Sequence, residues 1–280
     1  MIGGSGPAAP ARPIQVGPVR VGVGGWDFEP WRGSFFPAGL PKAGQLAFSS
    51  RALTAIEVNG TFYRTQTPET FRRWASETPE GFVFTLKAPR YVVNRRVLAE
   101  SADGIARFLE SGITQLGTKL GPVLWQLAPT KAFDETDLAA FLDLLPRSYD
   151  GHDLQHALEV RHPSFLDPRF VALARRFQVP VVYADSDVHP AIADLTGPFV
   201  YARLQRCSEA QTCGYSDAAL QLWAARARIW SQGGSPDDVN SVGAEAETAP
   251  PAGRPVYIFF ISGAKVRAPA AAQALLQRLA

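Results

Sequence analysis

The chain has two cysteines, four histidines and one methionine in 280 residues, and each scarcity excludes something. Two cysteines cannot staple a small disulfide scaffold or supply the roughly four ligands of a structural zinc site. Cys207 and Cys213, close together in CSEAQTC, read as free thiols, with a disulfide between them the less favoured alternative. With four histidines and no HxH or HExxH pattern, little is left for a histidine-based metal centre. A dominant charge is missing too: 28 basic residues stand against 26 acidic ones, so no field of one sign recruits nucleic acid or a membrane surface. No apolar run approaches the ~20 residues of a bilayer span. The opening MIGGSGPAAPARPIQVGP has neither a charged n-region nor an apolar h-region. These absences lead us to expect a cytoplasmic protein with a flexible tail over residues 1–18, no membrane, and a small or locally recognised partner.

What is present is a hydrophobic fraction of 46%, enough for a sizeable core. Eight β-type runs alternate with amphipathic stretches: VRVGVGGW, TAIEVNGTF, FVFTLKAP, GPVLWQLAP, HALEVRH, PVVYADS, FVYARLQ and VYIFFIS. Helix starts are marked by Thr67 with Pro68, by Asp134 and by Ser216. Such side chains accept hydrogen bonds from the free N–H groups of a first turn. Strand then helix, repeated, is the pattern of an α/β fold of (β/α)8 type, whose usual ~250 residues match positions 19–280. We expect a single TIM-type barrel there; the competing doubly wound sheet more often stops near about six strands. The sixth unit is the thinnest, because DVHPAIADLTG holds at most a short helix. Residues 231–255, poor in large apolar side chains and rich in Gly, Pro, Ser and acids, read as a disordered insertion before the last strand.

Side chains along a barrel strand alternate between the interior and the helix layer. That alternation isolates Glu57 and Asn59, Thr85 and Lys87, Gln126, Glu159 and Arg161, Tyr183 and Asp185, and Tyr201, Arg203 and Gln205 as an inward, polar set near the strand ends. The C-terminal ends of the strands are where barrel enzymes keep their active sites. His162 sits on the rim, held extended by Pro163.

Several motifs together resemble the YecE-like family, catalogued as domain of unknown function 72: VGVGGWDFEPWRGSFFP, IEVNGTFYRTQTPETFRRWASETPEGFVFTLKAPR, LGPVLWQLAPTKAFD, LEVRHPSF, YADS and YSDAALQLWA. The resemblance covers residues 19 to 280 and implies a TIM-type barrel. It supplies no activity, as the family's name says. The chain departs from the family pattern at Ile261 and Ser262, where an Asn pair is usual, and at Leu204, Gln205 and Arg206, where many members read LHG.

From the residues themselves, Glu159 is the first choice for general acid or base and Asp185 the second, since paired carboxylates can hold different protonation states. Lys87, in a chain sparing of lysine, is a third catalytic candidate. Its neighbouring carboxylates favour a simple cation over a lowered pKa. Arg161 and Arg203 are expected to clamp an anion, with Glu57, Asn59, Gln126, His162, Tyr183 and Trp26 completing the binding set. A divalent metal on Glu57, Glu159, His162 and Asp185 is chemically allowable, but no cofactor is predicted. The aromatic loop Trp26, Phe28, Trp31, Phe35 and Phe36 can stack a base or pack over the barrel, and packing is favoured. SGAK after the last strand is a weak anion-site signal.

The expected function is that of an enzyme of hydrolase, lyase or isomerase type acting on an anionic small molecule, phosphorylated ones included. A barrel that binds a nucleic-acid end or a protein is the alternative, and a metal-dependent phosphodiesterase or nuclease a further one. The competing structural reading is an ion-pair network that merely closes the barrel top. A catalytic mouth predicts that Glu159→Gln and Asp185→Asn each cost less than about 1.5 kcal/mol, well under the penalty for breaking a buried pair.

Overall fold

A computed structural model of the chain describes residues 18–243 and 253–280. The expected tail falls outside the described residues save for Pro18, as do residues 244–252 of the expected insertion.

The eight apolar runs form eight parallel strands: β1 (Val19–Gly24), β2 (Ala55–Val58), β3 (Val83–Lys87), β4 (Leu120–Gln126), β5 (His156–Glu159), β6 (Tyr183–Asp185), β7 (Val200–Leu204) and β8 (Val256–Phe260). Their order around the sheet is β5, β4, β3, β2, β1, β8, β7, β6. The remaining seam, between β5 and β6, is crossed by a single pairing of Leu158 with Val181, carried by Leu158 N to Pro180 O and Val182 N to Leu158 O. The result is a nearly closed (β/α)8 barrel.

Among the described residues, seven helices of eight or more residues surround it: α1 (Gln45–Ala52), α2 (Pro68–Glu77), α3 (Ala102–Glu110), α4 (Glu135–Asp143), α5 (Pro168–Phe177), α6 (Asp217–Ser231) and α7 (Ala268–Leu279). The expected start signals act as caps. Thr67, Asp134 and Ser216 accept from the N–H groups of Thr70, Asp137 and Ala219 at 3.3, 3.0 and 3.2 Å. In α6, Leu220, Trp223, Ala224, Ala227 and Trp230 recur at helical spacing and are all buried against the barrel. No helix follows β6 before β7 begins.

The barrel interior is filled in its lower part by Ala55, Leu124, Ala157, Val182, Phe199, Tyr201, Tyr257 and Phe259. Gly22 of β1 faces this layer, where a Cβ would come within 2.0 Å of the Ala55 carbonyl oxygen and 3.2 Å of the Phe259 ring. Any larger residue there would push β1 off β2. The aromatic loop packs as favoured: Trp31 is fully buried, edge-on to Phe28, Phe35 and Phe36, and its indole N–H donates to Lys265 O.

Of residues 231–255, the described stretch up to 243 lies against the sixth unit. Buried Asp194 accepts from the N–H groups of Val242 and Gly243 at 2.6 and 3.0 Å and faces Arg175, while Ala193 N donates to Asn240 O.

Candidate functional site

Above the apolar layer the interior turns polar. Paired positions in a parallel sheet share a face, and the register pairs Glu57 with Thr85 and Gln126 with Glu159. These side chains meet Arg203 and Tyr201 of β7 across the barrel. Arg203 donates through Nε and Nη2 to the two oxygens of Glu57, both at 3.0 Å, and through Nη1 to Glu159 Oε2 at 2.5 Å. Glu159 also accepts from Gln126 Nε2 at 2.7 Å and from Arg161 Nε at 3.0 Å. Tyr201 donates to Glu57 Oε2 at 2.8 Å and lies 2.9 Å from the Thr85 hydroxyl. Glu57 and Glu159 are fully buried and Arg203 is 2% exposed.

This arrangement corrects two sequence expectations. Burial alone would raise the Glu159 carboxyl, but Arg203, Arg161 and Gln126 outweigh it and hold the group at about 2. A carboxylate so pinned stays ionised at neutral pH and is a poor general acid or base. Arg203, with each of its three nitrogens bonded to a carboxylate, supports Glu57 and Glu159 and offers no free bidentate fork to an anion. Its pKa is held above the ordinary value by the two carboxylates, against burial.

Lys87, inward at the end of β3, departs from expectation in the opposite direction. Burial first, and then the Arg203 charge, lower its pKa to about 8 against the upward pull of Glu57 and Glu159. The carboxylates expected to keep it charged are already engaged by arginines. Its ammonium lies 4.0 Å from the Phe62 ring centroid and makes no hydrogen bond or ion pair among the described residues. Arg161 is half-buried at the rim, with its Nη atoms beyond the one bond through Nε.

Tyr183 and Asp185 are the third correction. Ala184 is in register with inward Arg203, whereas Asp185 pairs with Leu204 and Tyr183 with Ala202. The two polar residues therefore face the helix layer. Tyr183 packs on Trp223 and Trp230 of α6, and Asp185 accepts from the Tyr215 hydroxyl at 2.9 Å with Arg206 3.4 Å away. Burial raises the Asp185 carboxyl there, against Tyr215 and Arg206. Beside it, burial pushes the free Cys207 thiol up to about 12.

The remaining candidates scatter. His162 caps the short turn Pro163–Phe165, its Nδ1 accepting from Ser164 N at 3.2 Å and facing Ser164 Oγ at 2.8 Å. Trp26 packs edge-on against Trp74 of α2 at 5.1 Å and near Phe84 of β3. Asn59 lies by Gly24, where a Cβ would come within 2.8 Å of its Nδ2. Glu57, Glu159, His162 and Asp185 do not converge, and no group of three or more His, Cys, Asp or Glu suited to a metal ion occurs among the described residues. The SGAK backbone is engaged, since Ala264 N donates to Cys207 O and Lys265 N to Gly263 O.

One residue near the mouth was missed. His189, in the loop after β6, is shifted down by burial and by the Arg161 charge, with Glu159 opposing. Its HP dipeptide after a strand repeats that of His162 and Pro163, which is the signal that could have found it. Gln205, just past β7, has its Nε2 buried without an acceptor. Ile261 packs against the apolar layer beside Gly24.

The fold and site define a (β/α)8 barrel whose C-terminal mouth is lined by a buried charge cluster and a lysine without an ion-pair partner among the described residues. A family model described as "Protein of unknown function DUF72" matches residues 20–280, and the chain belongs to that family. It is 31% identical over 119 residues to UPF0759 protein YecE of Escherichia coli strain K12, a match spanning 41% of this chain and 41% of that protein. Two solved DUF72 family proteins share the fold. The one from Thermotoga maritima has a TM-score of 0.66 and 20% identity, covering 93% of this chain and 98% of that one. The one from Enterococcus faecalis has a TM-score of 0.65 and 18% identity, covering 92% and 96%.

Proposed function

We propose that the chain is an enzyme that binds a small anionic substrate, phosphorylated ones included, at the C-terminal mouth of the barrel, with Lys87 as its proton-transferring or nucleophilic group. The observation that carries this reading is the charge balance of the mouth. With Asp185 facing outward, Lys87, Arg161 and Arg203 stand, among the described residues, against Glu57 and Glu159. One positive charge is left over when Lys87 is protonated. A substrate anion at Arg161 would balance it, and the orphaned Gln205 Nε2 offers a further donor. A lysine that gains and loses its proton near neutral pH suits lyase and isomerase chemistry, and also the activation of a water for hydrolysis.

The test is thermal. Phosphate at about ten times its dissociation constant should raise the melting temperature by about 2 °C or more over chloride at matched ionic strength. Arg161→Ala should remove the difference. Equal melting in both salts, or a phosphate effect untouched by the substitution, would remove the anion site from the mouth.

A further inference from the structure

The chain has five lysines, and their surroundings differ sharply. Lys42 is paired with Asp27 at the surface, Lys119 donates to the Ala75 and Thr78 carbonyls, and Lys131 to Arg96 O and Asp137. Lys265 rests on the Phe28 and Trp31 rings of the outer aromatic loop. Only Lys87 sits inside the barrel mouth, 9% exposed, against Phe62 and without an oxygen partner among the described residues. With no oxygen partner among the described residues, this ammonium has only a ring face and the solvent at the mouth to hold its proton, so it is the lysine most readily available as the free amine.

We infer that Lys87 forms an imine with the carbonyl carbon of a small substrate that also bears an anionic group. This rests on the anion-site reading above and names the substrate class. The neutral Nζ adds to the carbonyl carbon, and the carbonyl oxygen takes up a proton to give a carbinolamine. Loss of water then leaves a carbon–nitrogen double bond. Amine plus carbonyl gives imine plus water, with no oxidant or reductant required. The proton that Lys87 must first release goes to solvent at the mouth, because Glu57 and Glu159 are saturated by Arg203.

The surroundings fit each stage. Roughly a tenth of Lys87 is neutral at pH 7 with a pKa of about 8, against well under a hundredth for an ordinary lysine. Once formed, the iminium is again a cation. It keeps the Phe62 ring face and lies in the field of Glu57 and Glu159, the two groups that raise the charged form of this nitrogen. Arg161 at the rim would hold the anionic end of the substrate, which orients the carbonyl toward the amine.

The experiment uses the full chain with glyoxylate, the smallest carbonyl compound that carries a carboxylate, and cyanoborohydride to reduce any imine, followed by peptide mass spectrometry. Carboxymethylation should appear at Lys87 about tenfold or more faster than at exposed Lys42, with a pH midpoint near 8 rather than above 10, following the free-amine fraction. Excess phosphate should slow labelling of Lys87 and leave Lys42 alone. Labelling of Lys42 at an equal or faster rate overturns the inference. If that happens while the phosphate-dependent rise in melting temperature persists, the imine fails and the anion site stands. If both are missing, both fail. Because the wild-type chain reports the result, no variant need fold.

Discussion

Lys87 and Arg203 show how one side chain sets the chemistry of another. Arg203 absorbs both carboxylates of the mouth, so the nearby lysine is left with burial, a like charge and no counterion of its own. A consequence for stability follows. The unfolded chain keeps the Lys87 proton up to its ordinary value of 10.5, whereas the folded chain keeps it only to about 8. Between those values the unfolded state binds more protons, so stability rises with pH across that window, and below it the buried charge is a constant cost. A shift of this size corresponds to about 3 kcal/mol. Lys87→Met removes the titration, so the variant should gain most over wild type at about pH 7 and lose that advantage by about pH 10. Denaturant melts of both chains at the two pH values decide this. A gap that does not change with pH would mean that Lys87 is not depressed.

Two strands of similar composition place their acids on opposite faces. β5 directs Glu159 inward to Arg203 and Arg161, while β6 directs Asp185 outward to Tyr215 and the half-exposed Arg206. The sequence treats the pair as alike, and neutralising either is then expected to be mild. Burial separates them. Glu159→Gln leaves the guanidinium of nearly fully buried Arg203 short of one counterion and should cost about 3 to 5 kcal/mol. Asp185→Asn keeps an acceptor for Tyr215 and loses only a long contact to an arginine in solvent, so it should stay under about 1.5 kcal/mol. Equal costs in denaturant melts at neutral pH would contradict the two facings. A scaffold role for Glu159 does not remove the site; it shifts the chemistry to the lysine that the scaffold isolates.

The barrel as a whole is unevenly closed. β3 pairs with β2 on one side and β4 on the other, but β6 is three residues long and faces β5 across one bridge. No helix covers the step from β6 to β7, and the chain between them is held instead by Asp194 and the stretch ending at Gly243. Few paired hydrogen bonds mean a low free energy of local opening. Amide hydrogen exchange should therefore reach β6 and residues 186–199 before β2, β3 or β4. If the strand amides all exchange together, the seam is not a weak point.

The sequence determined the architecture because its signals are local. Eight apolar runs, and cap residues such as Thr67, Asp134 and Ser216, act within a few positions of themselves and need no distant partner to be read. It also determined that Glu57, Lys87, Gln126, Glu159 and Arg203 share the interior, since strands of four to seven residues carry enough alternation to fix their parity. Tertiary structure decided the rest. In β6 the run VVYAD offers Val182 and Ala184 or Tyr183 and Asp185 as the inward pair, and only its register with Arg203 and Leu204 on β7 makes the choice. Which carboxylate meets which arginine depends on reach across the barrel, from position 57 to 203 and from 159 to 203, which no spacing along the chain encodes. The lowered pKa of Lys87 follows from those distant pairings, so the residue could be named from sequence while its chemistry could not.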